Sequence, residues 1–234
     1  NKRIIVKHKK TDNVFYEHVK AMGKNAIFQA ASQFNYLEMI SPMYSPSNGI
    51  TNYVNDNSQG PKCALATPGA TLYRNWALTS DRHQLNGLKH IMKYCKGLSF
   101  QNGYIHYDGT PFEIAQENVN QLLQIAVTTA GVMLNKIPLN IQNKHITNCN
   151  SSDFLVSNAW CSSISLGYLP QNVKYSPYIQ KFAEQILYAT YLLTLRMAAF
   201  HPKINTVYLT FVGGGFFENK YEWILNAMLS AIKS

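Results

Sequence analysis

No stretch of this chain runs to the roughly 18 or more uninterrupted apolar residues that a membrane-crossing helix takes. The N-terminal Asn1-Lys2-Arg3-Ile4-Ile5-Val6-Lys7 has the basic flank of a secretory signal but not its long apolar centre, so secretion by the general route is unsupported. Cysteine is scarce and dispersed. Cys63, Cys95, Cys149 and Cys161 form no CxxC pair, which argues against a zinc knuckle or a redox dithiol and favours buried free thiols in a reducing compartment. The seven histidines make no HExxH or close pair, so neither a metal nor a cofactor is expected. Low-complexity tracts and internal repeats are absent as well.

Acid is scarce relative to base. Against 21 Lys and Arg stand 12 Asp and Glu, a net charge of +9, which favours an anionic partner: nucleic acid, an acidic protein or an anionic nucleotide. Part of the excess is local, in Lys2, Arg3, Lys7 and His8-Lys9-Lys10, and in Lys89, Lys93 and Lys96 at helical spacing. A solvated basic face would look the same. The aromatics are not interleaved with the basic residues, and no nucleic-acid motif is present, so nucleic acid is disfavoured.

What is there suits one substantial core: 234 residues, 46% of them hydrophobic. One domain is expected over 1–234, with a basic arm and helix in 1–24 and the core in 25–232. Because the chain begins with Asn1 and not Met, it reads as a piece cut from a longer protein. Residues 12–22 carry Val14, Phe15, His18, Val19 and Met22 at helical spacing before Gly23. Residues 25–32 read as a buried strand, followed by a long polar loop over 33–60. A strand is expected over 70–78, an amphipathic helix over 84–95, a strand over 100–107 and a helix over 111–122. The β-branched run 125–129 is extended. A strand over 156–166, a long helix over 177–200, a strand over 207–212 and a helix over 216–232 complete the pattern. Alternating strands and helices give an α/β sandwich with its ligand at the strand ends.

Three segments carry candidate chemistry. In Gly213-Gly214-Gly215, the N–H groups and the following helix start would form a nest for a pyrophosphate. A tight strand-to-helix turn needs glycine for geometric reasons alone, so either reading fits. Phe216 and Phe217 suit stacking on a ribose or adenine, or core packing. The segment lacks the spacing of a dinucleotide fingerprint and the lysine of a P-loop. In the second segment, Gln33, Asn35 and Glu38 follow the buried strand, as pocket contacts or as satisfiers of turn backbone. The third runs from Gly49 to Pro61 and sets Asp56 among uncharged residues, as a functional acid or as an ordinary turn aspartate.

Together these segments resemble the macrodomain fold: Gln29-Ala30-Ala31-Ser32 at a strand end, a glycine loop between Gly49 and Gly60, and a second glycine loop from Gly213 to Asn219. More narrowly, Ala31-Ser32-Gln33-Phe34-Asn35-Tyr36-Leu37-Glu38-Met39, Ser58-Gln59-Gly60-Pro61-Lys62-Cys63-Ala64 and residues 209–219 with Glu222-Trp223-Ile224 are similar to the divergent MavL-like macrodomains, a group associated with removing ADP-ribose from arginine. The resemblance implies a three-layer α/β/α fold with a mixed central sheet and a mono-ADP-ribosylhydrolase. Its alternative is a non-catalytic ADP-ribose-binding module. It also implies a monomer in the cytoplasm, or in a host cytosol if the protein is a secreted effector. The partner would be an ADP-ribosylated protein, ubiquitin among the family's targets. By the same resemblance Asp56, then Glu38, is the acid acting near the ribose C1″, and Gln59 positions water or the distal ribose. Ser32, Gln33 and Asn35 line the pocket, with Gly49 and Gly60 in the first loop. Gly213, Gly214, Gly215 and Phe216 hold the pyrophosphate, with Phe217 and Asn219 beside them. The chain departs from the group's pattern at Phe216 and Glu218, in the fourth and sixth positions of a loop that usually reads Gly-Gly-Gly-Val-Phe-Gly-Asn. It departs again at Leu192 and Asn48, where acids are usual.

Overall fold

The computed structural model describes residues 5, 7–11, 13–77, 79–132 and 155–234; Cys149 lies outside them. Among the described residues are six strands, β1 (Ala26–Ala31), β2 (Leu98–Gln101), β3 (Tyr104–Tyr107), β4 (Ala126–Val132), β5 (Leu155–Cys161) and β6 (Thr206–Tyr208), and seven α-helices. These are α1 (Val14–Ala21), α2 (Gly60–Ala66), α3 (Pro68–Leu72), α4 (Gln116–Leu122), α5 (Gln171–Lys174), α6 (Pro177–Phe200) and α7 (Tyr221–Lys233). The main sheet has the order β4-β5-β1-β6, with β5, β1 and β6 parallel and β4 antiparallel at one edge.

Strand periodicity builds the layers. Side chains alternate across a sheet, and in β1 Ala26, Phe28 and Ala30 pack with Phe15, Ala21, Cys63 and Ala66 of α1 and α2. Ile27 and Gln29 point the other way, to Ala198 and Thr194 of α6. Helix α7 closes that second face through Ile224, Ala227 and Ala231 against Leu187 and Tyr191. The expected three-layer α/β/α arrangement with a mixed sheet is therefore present. A second core of Leu88, Ile91, Ile105, Phe112, Ile164, Phe182 and Ile186 joins the β2–β3 hairpin to the first half of α6.

Several expected elements differ. Residues 68–77 are helical, not a strand: Pro68 starts α3, and a π-turn, Tyr73–Ala77, continues it. Helical spacing sets Thr71, Arg74 and Asn75 on one inward face, where Asn75 Nδ2 donates to the Thr71 carbonyl (2.9 Å). Residues 84–95 form successive turns with only a short 3-10 piece, Met92–Tyr94. Gly87 diverts the backbone there: its N–H donates to the Phe34 carbonyl (2.8 Å) and its own carbonyl accepts from Gln124 (3.0 Å). The single strand expected over 100–107 is a hairpin, with Asn102 and Gly103 at φ 47° and 85°. An Asn-Gly pair with two positive φ values is the tight turn that matches strand twist. Finally, β6 stops at Tyr208 and α7 begins only at Tyr221, five residues beyond the expected start at Phe216.

A buried polar chain locks α1 to the sheet. His18 Nδ1 donates to the Val14 carbonyl (2.8 Å), Nε2 accepts from Asn158 Nδ2 (3.0 Å), and Asn158 Oδ1 accepts from the Thr67 hydroxyl (3.2 Å). The ring stacks on Phe28 at 3.7 Å between centroids. Burial pushes this imidazole down from the ordinary 6.5 to about 4. The unfolded chain takes up a proton below pH 6.5 that the folded chain refuses. This stability is complete above that pH and falls as pH drops toward 4, by about 3 kcal/mol. Denaturant titrations between pH 7 and 4 should show that decline in the native chain and a flatter profile in His18→Gln; identical profiles would contradict it.

Candidate functional site

Because β5, β1 and β6 are parallel, the loops that follow them leave from one edge of the sheet, the usual ligand edge of such folds. Residues 32–39, which follow β1, are all buried although irregular, so their polar groups must be satisfied internally. Gln33 does this twice over: Nε2 donates to the Met39 carbonyl (2.9 Å) and Oε1 accepts from Met39 N–H (3.1 Å). Ser32 Oγ donates to the Leu37 carbonyl (3.0 Å), and Asn35 Oδ1 accepts from Leu37 N–H (3.2 Å) while its Nδ2 donates to Gln84 Oε1 (2.9 Å). Ser32, Gln33 and Asn35 thus hold their own loop in shape.

Glu38 is also committed. Its side chain is 1% exposed and forms an ion pair with Arg74, 3% exposed, and its other oxygen accepts from Asn75 Nδ2 (2.7 Å). Arg74 Nε donates to the Tyr36 carbonyl (3.0 Å), and the guanidinium lies 3.5 Å over the Trp160 ring. Burial pulls the guanidinium below its usual range and Glu38 opposes the shift.

Asp56 is in a different position. It ends a 3-10 helix, Thr51–Asn55, is partly exposed, and accepts from Ser58 N–H through Oδ1 (2.7 Å). Its Oδ2 has no hydrogen-bond partner among the described residues. Three tyrosines feel its charge. Burial first, then the carboxylates of Glu38 and Asp56, raise the Tyr53 phenol far above its ordinary range; Tyr104 and Tyr168 are raised by burial and, less, by Asp56. Gly60 makes room for Tyr53, since an added Cβ would fall 1.7 Å from the hydroxyl. Gln59 turns to α1, accepting from Val14 N–H (3.1 Å). Gly49, at φ 70°, caps the 3-10 turn Pro46–Asn48, in which Asn48 accepts from Ser45 N–H (2.8 Å).

The second glycine loop, residues 213–219, is fixed at its base and open at its tip. Tyr191 Oη donates to the Thr210 carbonyl (2.6 Å) and accepts from Val212 N–H (3.2 Å). Gly213, at φ 76°, packs so tightly that a Cβ would come 1.9 Å from Ser163 Oγ. Buried Asn219 closes the loop, its N–H on the Gly213 carbonyl (3.0 Å) and its Nδ2 on the Ile164 carbonyl (2.9 Å). The N–H groups of Gly213, Gly215, Phe216 and Phe217 donate to no acceptor among the described residues. Gly214 N–H turns back to the Phe211 carbonyl (3.3 Å). Phe216 is exposed, while Phe217 packs on Tyr104 (5.7 Å) and Tyr168 (5.9 Å). Glu218 is paired with Lys174. Leu192 is buried in the apolar layer under the loop.

Phe217 of the second loop thus packs on the two tyrosines, Tyr104 and Tyr168, that the charge of Asp56 in the first loop also influences. Arg74, Tyr53, Tyr104 and Tyr168 were not singled out from the sequence; a lone arginine inside an apparent strand was the one signal available for the first. A separate groove of about 500 Å³ lies between α6 and α7, lined by Lys181, Glu184, Tyr188 and Trp223 among others. No group of three or more metal-ligating side chains exists among the described residues, and no helix there is long and apolar enough to cross a membrane. Protein-family models, curated proteins and solved structures were all searched, and none matches the chain.

Breaking the buried pair should be costly, because it leaves one charge uncompensated. Glu38→Gln is expected to lower unfolding free energy by about 3–5 kcal/mol in denaturant titration; a loss below about 1 kcal/mol would contradict the role given to the pair.

Proposed function

We propose that this chain binds ADP-ribose across the two loops and hydrolyses it from modified arginine. The carrying observation is the glycine loop 213–219, its Gly215, Phe216 and Phe217 N–H groups without acceptors among the described residues, at the edge where the three parallel strands end and where Phe217 packs on Tyr104 and Tyr168. The open N–H groups at the tip of residues 213–219 suit a pyrophosphate, and the net charge of +9 suits an anionic ligand. Partly exposed Phe217 and exposed Phe216 offer faces for ribose or adenine.

In this reading Asp56 is the acting acid. Loss of the guanidinium from C1″ develops oxocarbenium character, and a carboxylate beside that carbon stabilises the positive charge and orients or deprotonates the attacking water. Of the two candidate acids, Asp56 is partly exposed and has an oxygen without a hydrogen-bond partner among the described residues, whereas Glu38 is enclosed against Arg74. Glu38 is assigned instead to holding the helical turn of Arg74 and Asn75 against the segment after β1. A second reading, an ADP-ribose binder without catalysis, draws on the same facts: with Glu38 tied up and Leu192 in an apolar layer, a single open carboxylate is left of the candidates.

Incubation with an arginine-ADP-ribosylated protein, with detection of free ADP-ribose, separates these readings. Release should fall about 100-fold or more in Asp56→Asn while ADP-ribose binding persists. Binding without release by the native chain would select the binder, and absence of ADP-ribose binding would sink both.

A further inference from the structure

The strand order puts β1 between β5 and β6, so the loops after β5 and β6 meet across the end of β1. They are joined at three points. Gly167 N–H donates to the Phe217 carbonyl (3.2 Å). The Phe216 carbonyl and the Glu218 side chain cross the bare Cα of Gly167, where an added Cβ would lie 2.2 Å from the Phe216 oxygen and 3.1 Å from Glu218 Cγ. Beyond that crossing, Glu218 forms its ion pair with Lys174. Glu218 itself stands at φ 55°, a left-handed backbone that residues with a Cβ adopt reluctantly. The crossing is thus held in place by tertiary packing.

Two features distinguish this crossing from an ordinary surface ion pair. The Lys174 side chain is 12% exposed against 52% for Glu218, so the lysine is packed along its length at the surface and the acid is the partner freer to swing into solvent. Beside them, Gly215, Phe216 and Phe217 hold N–H groups without acceptors among the described residues, while the single carboxylate within residues 213–219 is turned aside onto Lys174. Backbone donors and an ion-paired cation thus lie on the same loop pair.

We propose that Glu218 is a built-in competitor for the anion of this loop. In the unliganded chain it neutralises Lys174; a diphosphate displaces it, taking Lys174 as its cation together with the loop N–H groups, and Glu218 turns out to solvent. The exchange sets a threshold that favours ligands with two phosphate groups over singly charged anions. It deepens the ADP-ribose reading, on which it rests only for the identity of the ligand, since any diphosphate can perform the exchange.

Calorimetric titration with inorganic pyrophosphate, and separately with ADP-ribose, tests this on the native chain, Lys174→Gln, Glu218→Gln and the double variant, with thermal unfolding to verify folding. Pyrophosphate affinity should fall about tenfold in Lys174→Gln, which removes a charge-assisted hydrogen bond to the ligand, and rise about tenfold in Glu218→Gln, which makes that bond available without competition. The gain from Glu218→Gln should vanish when Lys174 is also changed, because the two act through one ammonium group. An unchanged affinity in Glu218→Gln, an equal gain with and without Lys174, or no pyrophosphate binding in any of the four would overturn the proposal. If pyrophosphate follows the expected pattern and ADP-ribose does not bind, the exchange stands and the proposed function fails. ADP-ribose binding that is indifferent to all the changes keeps the function and overturns the exchange.

Discussion

The ion pair of Glu38 with Arg74, laid on the face of Trp160, is the contact around which the candidate site is organised. Charges this deep are stable only when each finds opposite charge and further hydrogen bonds. The Tyr36 carbonyl, Asn75 and the aromatic face supply these. The pair ties the irregular segment after β1 to the helical turn around residue 74, and through Trp160 to β5. Tyr53, in the 3-10 helix that Asp56 ends, is buried and feels the charge of Glu38, so the first loop lies within the field of this pair. Trp160 is fixed in turn by its indole N–H on the Thr128 hydroxyl at 3.0 Å, which brings the edge strand β4 into the same arrangement.

The glycine loop shows the complementary strategy. Its base is pinned by neutral groups, Tyr191, Asn219 and Gln29, the last accepting from Thr210 N–H at 3.2 Å. At its tip, Gly215, Phe216 and Phe217 keep backbone donors without acceptors among the described residues. Rigid anchoring with free donors lowers the ordering cost of binding an anion, since the loop is already shaped when the ligand arrives. Glu218 and Lys174 then add charge control to a framework that is otherwise uncharged.

Much of the architecture was legible in the sequence. The 24-residue α6 has Pro177 at its start and a long apolar pattern, and its limits match the expected 177–200. The β-branched run after residue 125 and the buried strand after residue 25 are also present. The failures share a physical origin in tertiary partners that local pattern does not reveal. Residues 70–78 look like a strand until Arg74 and Asn75 are given Glu38 as a partner. Residues 84–95 have helical periodicity, but Gly87 bonds to Phe34 and Gln124 instead of to its own turn. The Asn102-Gly103 turn is the exception, since that residue pair signals a hairpin on its own. In the site, residue types were easier to find than roles. Gln33 and Asn35 do hold polar contacts, but to backbone, Tyr104 and Gln84, while Tyr104, Tyr168 and Phe217, which pack together, come from widely separated segments that periodicity does not connect.

The most direct test of where ADP-ribose binds is its titration into isotopically labelled protein, followed through backbone amide shifts. The account predicts the largest perturbations at Gly215, Phe216 and Phe217, with Asp56 and Tyr168 moving at the same ligand concentration. Perturbations confined to the groove between α6 and α7, around Tyr188 and Trp223, with the two loops unmoved, would contradict it.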